Sequence, residues 1–271
     1  DAGMSRSSAA GRIGRRVYLA LCYLFLYAPI AVLIVFSFNA SRSRSVFTEF
    51  TLKWYQNLFH NELIMESLWN TLLIAVLASL AATVIGIVAS VGIFNMKRGM
   101  RAAVMNITYL PIMNPEIITG VSMMLLFVFL GGLFGLELGM WAVLAAHITF
   151  CLPYVILNVL PKLRQMDPHL PEAALDLGCN PVQAFLKVVI PEIFPGILSG
   201  FLMSFTFSLD DFIITYFTSG NAFPTLPTTI YSMVKRKVNP QINALSTIMF
   251  LAVLALLLLM NLKKGRKQAE N

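Results

Sequence analysis

The sequence predicts an all-α polytopic membrane protein with six transmembrane helices. Three observations predict it. Only 12% of the 271 residues are charged while 58% are hydrophobic; a soluble domain carries roughly 25% charged residues to cover its surface. A disordered chain, which needs low hydrophobicity and high charge, is excluded by the same figures. Second, the chain holds six apolar runs of the length, about 20 residues, that crosses a bilayer. Third, its cationic residues fall mainly on one side of those runs, as positive-inside bias requires.

The runs follow in order. Residues 1–16 form an N-terminal tail, in which Asp1-Ala2-Gly3 ahead of Met4 read as a cloning remnant. The six-helix domain covers residues 17–262. Its first span is Val17 to Phe38, too long for a secretory signal. The second runs from about Leu68 to Phe94. The third, about Val104 to Leu130, contains Pro111 and Pro115 and is expected to kink there. The fourth runs from about Gly139 to Leu160, the fifth from Gly196 to Thr218, and the sixth from about Ile242 to Leu262. A loop at 161–195 separates spans four and five, and a basic tail covers 263–271.

Charge sets the expected orientation. With the N-terminus inside, 14 Lys and Arg residues are cytoplasmic and 6 external. Both termini are therefore expected in the cytoplasm, although Lys235-Arg236-Lys237 runs against the rule. The net charge of +7 is mostly this bias, so nucleic acid is not expected as a partner. Cys22, Cys151 and Cys179 are too far apart for a disulfide framework or a metal site and read as packing residues. No phosphate-binding G-x-x-x-x-G-K-[ST] loop and no zincin or hydrolase motif occurs, so neither ATP chemistry, a cofactor nor a metal is expected on this chain. His147, in the fourth span, reads as a packed, hydrogen-bonded helix residue.

The loop between spans four and five predicts a short helix. Asp167 suits an N-cap with Pro168 at the first helical position, although Pro171 argues for a start nearer Leu170. Gly178 suits the left-handed residue that ends a helix, and Pro181 follows. Leu170, Ala173, Ala174 and Leu177 share one face by their spacing. A helix of two to three turns is marginal alone and needs a surface to dock on.

Acids within the spans point to a cation path. Asp210 and Asp211 lie 14 and 15 residues into the fifth span, about 21 Å from its start at helical rise. Glu116 lies 12 residues into the third, about 18 Å in. A charged carboxylate at such depth costs about 2.5–3.5 kcal/mol and normally faces a cavity, a partner or a substrate. Ser204, Ser208, Asp211, Thr215 and Thr218 fall within an arc of about 80° on a continuous helix, as do Asn106, Tyr109, Met113, Glu116 and Gly120. Which of Asp210 and Asp211 lines a path, and which meets a neighbouring helix, stays open. So does a purely assembling role for the acids. Tyr109 and Tyr216 are candidate cation–π walls.

Two sets of residues carry a family resemblance. Glu172-Ala173-Ala174-x3-Gly178-x9-Val188-x-Ile190-Pro191 resembles the E-A-A-x3-G-x9-I-x-L-P signature of bacterial ABC-importer permeases. Residues 204–212, Leu226-Pro227-x2-Ile230-Tyr231-Ser232-Met233-Val234-Lys235, Asn243-Ala244 and 147–153 resemble, more narrowly, the PotC-type permeases of spermidine/putrescine ABC transporters, over about residues 17–262. The resemblance implies a type I importer fold in a bacterial cytoplasmic membrane. It implies a homologous second permease, an ATPase homodimer carrying ATP and Mg, and an extracytoplasmic polyamine-binding protein as partners, besides membrane lipid. The helix with Glu172, Ala173, Ala174, Asp176 and Gly178 would couple to the ATPase. Trp54, Glu116 and Asp210 would take part in polyamine uptake, joined on residue chemistry by Tyr109, Ser208, Asp211 and Thr215. Trp54 equally suits an interfacial anchor. Glu116 stands where Asp is expected, which leaves the preference between spermidine and putrescine open. A permease of the same class for ferric ion or an aminophosphonate shares the coupling loop and remains the alternative; a homomeric channel or an intramembrane enzyme would lack the ATPase.

Overall fold

The apolar runs fold as helices. A computed structural model describes residues 9–41, 46–135, 137–220, 222–236, 240–251 and 254–255. Helix α1 spans Ala9–Ser37, α2 Lys53–Phe59, α3 Glu62–Asn95, α4 Arg98–Met113, α5 Glu116–Phe134 and α6 Met140–Gln165. Then come α7 (His169–Asp176), α8 (Pro181–Ala184), α9 (Ile190–Asp210), α10 (Ile213–Thr218) and α11 (Leu226–Arg236). Residues 240–251 are also helical. Among the described residues, five helical stretches are long and apolar enough to cross a membrane: Gly14–Ser37, Glu62–Asn95, Glu116–Phe134, Met140–Gln165 and Pro181–Asp210. The sixth expected span begins as a helix, and its residues 252–253 and 256–262 lie outside the described residues, as do Arg42, Arg44, Lys237 and the tail 263–271.

Two compact units result, residues 1–65 with 230–271, and residues 66–229. In the first, the segment after α1 turns back through a single bridge between Asn39 and Phe50. Asn39 organises it. Its side-chain amide donates to the Val46 carbonyl at 2.8 Å and its Oδ1 accepts from the Thr48 N–H at 3.0 Å.

The second unit is built on α6 and α9. Gly196, Gly200, Ser204 and Ser208 recur every fourth residue, so α9 presents one small-residue stripe to α6. The fit is close: a Cβ at Gly196 would sit 2.7 Å from the Asn158 carbonyl oxygen, and one at Gly200 3.0 Å from Val155 Cα. Val155 is clamped from the other side by Gly86 of α3, where a Cβ would fall 2.5 Å from its methyl. Higher up the stripe, the Ser204 hydroxyl donates to the Cys151 carbonyl (3.3 Å) and the Cys151 thiol donates to the Ser204 carbonyl (3.4 Å). Around them Ala82, Val159, Leu163 and Ile193 are buried in one cluster. Cys151 is thus a packing residue, as read from sequence.

Three expectations need correction. The third span does not kink but breaks: Asn114 and Pro115 are both extended (ψ 144° and 133°), separating α4 from α5. The cause is local, because a residue before proline is pushed out of the helical region, and Pro111 has already weakened the ladder. The fifth span also breaks, at Asp211 (ψ 124°), so α9 and α10 are separate helices. The arcs drawn on continuous helices therefore do not hold across either break. Finally, the loop at 161–195 is mostly helix. α6 continues to Gln165, and after Asn180 a capping box with Gln183 starts α8 at Pro181. The helix runs on through a π-helical turn at Phe185–Val189, which follows from Pro191, whose missing N–H leaves the regular ladder one donor short.

Candidate functional site: an exposed helix and two helix breaks

The short predicted helix exists as α7; it packs on the turn Phe185–Val189 of its own unit through Ala174 and is exposed on its other faces. The Asp167 carboxylate accepts from the His169 N–H at 2.9 Å and so starts it. Pro171 sits in the first turn, where no backbone donor is needed. At its end the Cys179 N–H reaches the Ala174 carbonyl (3.0 Å) and the Gly178 N–H the Leu175 carbonyl (2.9 Å). This Schellman arrangement needs a left-handed residue, and Gly178 has φ +89°. Of the predicted apolar face, Ala174 alone is buried; Leu170 is 37% and Leu177 87% exposed. Glu172 is exposed and pairs with His169 at 3.2 Å. Ala173 and Asp176 are exposed as well. The helix is ordered by its caps, and its apolar residues are left for another surface.

The second feature is the pair of helix breaks. Glu116 is the first residue of α5 and is exposed, rather than lying deep in a continuous span. Asp210 is the last residue of α9 and is exposed too. Gly120 of α5 packs on α10, where its Cβ would lie 3.3 Å from the Ile213 carbonyl oxygen and 3.4 Å from Ile214 Cα. Each break lies about one helical turn from that contact. The two exposed acids therefore belong to one region of this unit.

Asp211 behaves differently from Asp210. Its side chain is 4% exposed. One carboxylate oxygen accepts from the Thr215 N–H and hydroxyl, both at 2.8 Å, and the other from the Ile214 N–H at 3.4 Å, so Asp211 caps α10. Ser208 and Thr215, expected on the pathway, are buried against α6. Their hydroxyls meet the two ring nitrogens of His147 at 2.7 and 2.9 Å. Ser204 and Thr218 are buried as well. The hydroxyls of the predicted stripe face the inside of the unit on both sides of the break.

Two further expected residues have different surroundings. Trp54, on α2, is 7% exposed and its indole N–H donates to the Asn39 carbonyl at 2.7 Å. It is a brace of the first unit. Tyr109 lines a cavity of about 470 Å³ with Arg98, Arg101 and Arg164, cationic neighbours that a cation's wall would not choose. Tyr216, a candidate from sequence, is 51% exposed; sequence reasoning missed its partner Phe212, whose ring lies 5.4 Å away and is tilted by 40°. Tyr154 and Phe207 form a second pair at 4.5 Å.

Comparison with known proteins decides what this geometry belongs to. A family profile described as the binding-protein-dependent transport system inner membrane component matches residues 82–263. The chain belongs to this family of transport permeases. It is 36% identical over 248 residues to the spermidine/putrescine transport system permease protein PotC of Haemophilus influenzae, covering 92% of this chain and 95% of the relative. It is 40% identical over 243 residues to the putrescine transport system permease protein PotI of Escherichia coli, covering 88% and 86%. Its fold matches a chain of a bacterial ABC transporter for the acidic polysaccharide alginate with TM-score 0.74 at 16% identity, over 96% and 99% of the two chains. It matches the MetNI methionine transporter in an inward-facing conformation with TM-score 0.57 at 20% identity, over 73% and 92%. The permease family accounts for a multi-pass helical chain and for the E-A-A-type loop that forms α7.

Proposed function

We propose that this chain is one of two permease subunits of an ATP-driven polyamine importer. It sits in the bacterial cytoplasmic membrane with both termini in the cytoplasm, as the Lys and Arg distribution favours. The exposed α7 carries the proposal. A capped helix with Leu177 87% exposed is suited to dock in a cleft of a separate ATPase. That subunit holds ATP and Mg, so hydrolysis is not the work of this chain. A homologous permease completes the pore and an extracytoplasmic protein delivers the cargo. The similarity to PotC and PotI, at 36% and 40% identity, supports spermidine or putrescine as that cargo.

Polyamines are flexible chains carrying ammonium groups a few methylenes apart. Separated carboxylates with aromatic walls suit them. Glu116 and Asp210 are the exposed acids at the breaks, and Tyr216 is exposed on α10, six residues after Asp210. Asp211, Ser208 and Thr215 support that region from behind, and Trp54 braces the first unit. The test is uptake of labelled spermidine and putrescine by the complex reconstituted in liposomes. ATP-dependent uptake of either supports the proposal; transport of ferric ion or an aminophosphonate in its place refutes it.

A further inference from the structure

His147 bonds to both sides of the α9–α10 break. It is 1% exposed on α6. Its Nδ1 meets the Ser208 hydroxyl of α9 at 2.7 Å, and its Nε2 meets the Thr215 hydroxyl of α10 at 2.9 Å and the Asp211 carboxylate at 3.4 Å. The ring also stands edge-on to Phe150, with centroids 5.6 Å apart. Counting donors assigns its protons. The Thr215 hydroxyl gives its hydrogen to Asp211 at 2.8 Å, so toward the ring it can only accept. Nε2 therefore carries a hydrogen, and in the neutral ring Nδ1 accepts from Ser208. Every polar atom of the cluster is then satisfied.

This network is incompatible with an unbroken helix. Ser208 and Thr215 are seven residues apart, about 10.5 Å along a continuous α-helix. One imidazole with bonds of 2.7 and 2.9 Å on its two nitrogens does not span that distance. Straightening the break means releasing the imidazole from at least one of these buried hydroxyls, at a cost in hydrogen bonding. The break in turn decides where the neighbouring acid goes: Asp211 turns inward to cap α10, and Asp210 ends α9 exposed.

We propose that His147 is a positioning residue for the cation path, a strut that joins α9 to α10 and so presents Asp210 to the cargo. This rests on the polyamine reading above, and it does not require His147 to touch the substrate. The experiment uses the reconstituted complete complex and measures polyamine KM and maximal rate for His147→Ala, alone and combined with Asp210→Asn. His147→Ala raises KM about tenfold with a maximal rate within about twofold of wild type. In the Asp210→Asn background the same change adds less than about twofold, because the two residues act as one unit. Independent, multiplying effects overturn the proposal, as does a wild-type KM in an assembled His147→Ala complex.

Isosteric partners keep the test alive if the alanine variant fails to assemble. His147→Gln places an amide where Nε2 was and retains the bonds to Asp211 and Thr215; His147→Asn reaches only toward Ser208. Each variant keeps one end of the strut and loses the other, so a raised KM in both supports it and a wild-type KM in either refutes it. Hydrogen exchange over residues 205–218 separates the strut from the cargo. Faster exchange in the His147 variant supports it and unchanged exchange overturns it, even if the complex proves to carry a different solute.

Discussion

Neighbouring aspartates with opposite surroundings are the point on which the residue chemistry turns. Asp211 has its carboxylate filled by Thr215, Ile214 and His147, so it has little capacity left for a cargo cation. Asp210, one position earlier, is exposed. Neutralising it in Asp210→Asn should weaken polyamine uptake about 10-fold to 100-fold, the worth of a charge-assisted hydrogen bond of about 1.5–3 kcal/mol. Initial uptake rates over a range of polyamine concentration measure this, and co-purification of the full complex shows that assembly is intact. Trp54 is expected to behave as a brace. Trp54→Phe removes the donor to the buried Asn39 carbonyl and should cost about 1–3 kcal/mol, seen as a lower thermal midpoint with polyamine KM unchanged. The sequence placed these residues in the right chemical class, since acids within an apolar span are costly and demand a reason. It could not separate Asp210 from Asp211, because the distinction depends on a helix break and on His147, which lies 64 positions upstream of Asp211.

At the scale of elements, glycine spacing and caps do most of the organising. The stripe Gly196, Gly200, Ser204, Ser208 was legible as a four-residue repeat, but its serines were read for their polarity and not for their size. Seated against α6, it lets two backbones approach as far as the missing side chains allow. Gly200→Leu should therefore separate α6 from α9 and sharply reduce the yield of folded protein, measured by monodisperse recovery in detergent. Ser199→Leu, on the exposed neighbouring position, should be tolerated. The same logic explains α7. Its caps were readable from Asp167 and Gly178 alone, because capping is a local matter of side-chain reach and left-handed backbone. The long helix after Asn180 was less readable, since Pro181, Pro191 and Pro195 look like breakers until Pro181 falls at a helix start and the π-helical turn absorbs Pro191. Leu177→Glu changes an exposed residue and should leave folding intact. It should abolish uptake if α7 is gripped by the ATPase, and normal uptake would show that the helix has no such role.

For the whole molecule, composition settled the class and pattern settled the family. A chain with 12% charged residues is suited to a bilayer, and residues 82–263 match the transport-permease family. What sequence could not supply was the interruption of two spans near one another. Interrupted helices at the level of a substrate are where membrane proteins expose polar backbone and acids without exposing them to lipid. Here they set Glu116 and Asp210 in one region while the stripe of hydroxyls turns inward. In the proposed account α7 docks on the ATPase and the breaks hold the cation.

The most direct measurement is ATP hydrolysis by the reconstituted complex on adding its binding protein loaded with spermidine or putrescine. Stimulation by the polyamine-loaded protein, absent with the unloaded protein and lost in Leu177→Glu, is the result expected. Stimulation that is indifferent to polyamine, or that survives Leu177→Glu unchanged, would contradict the account.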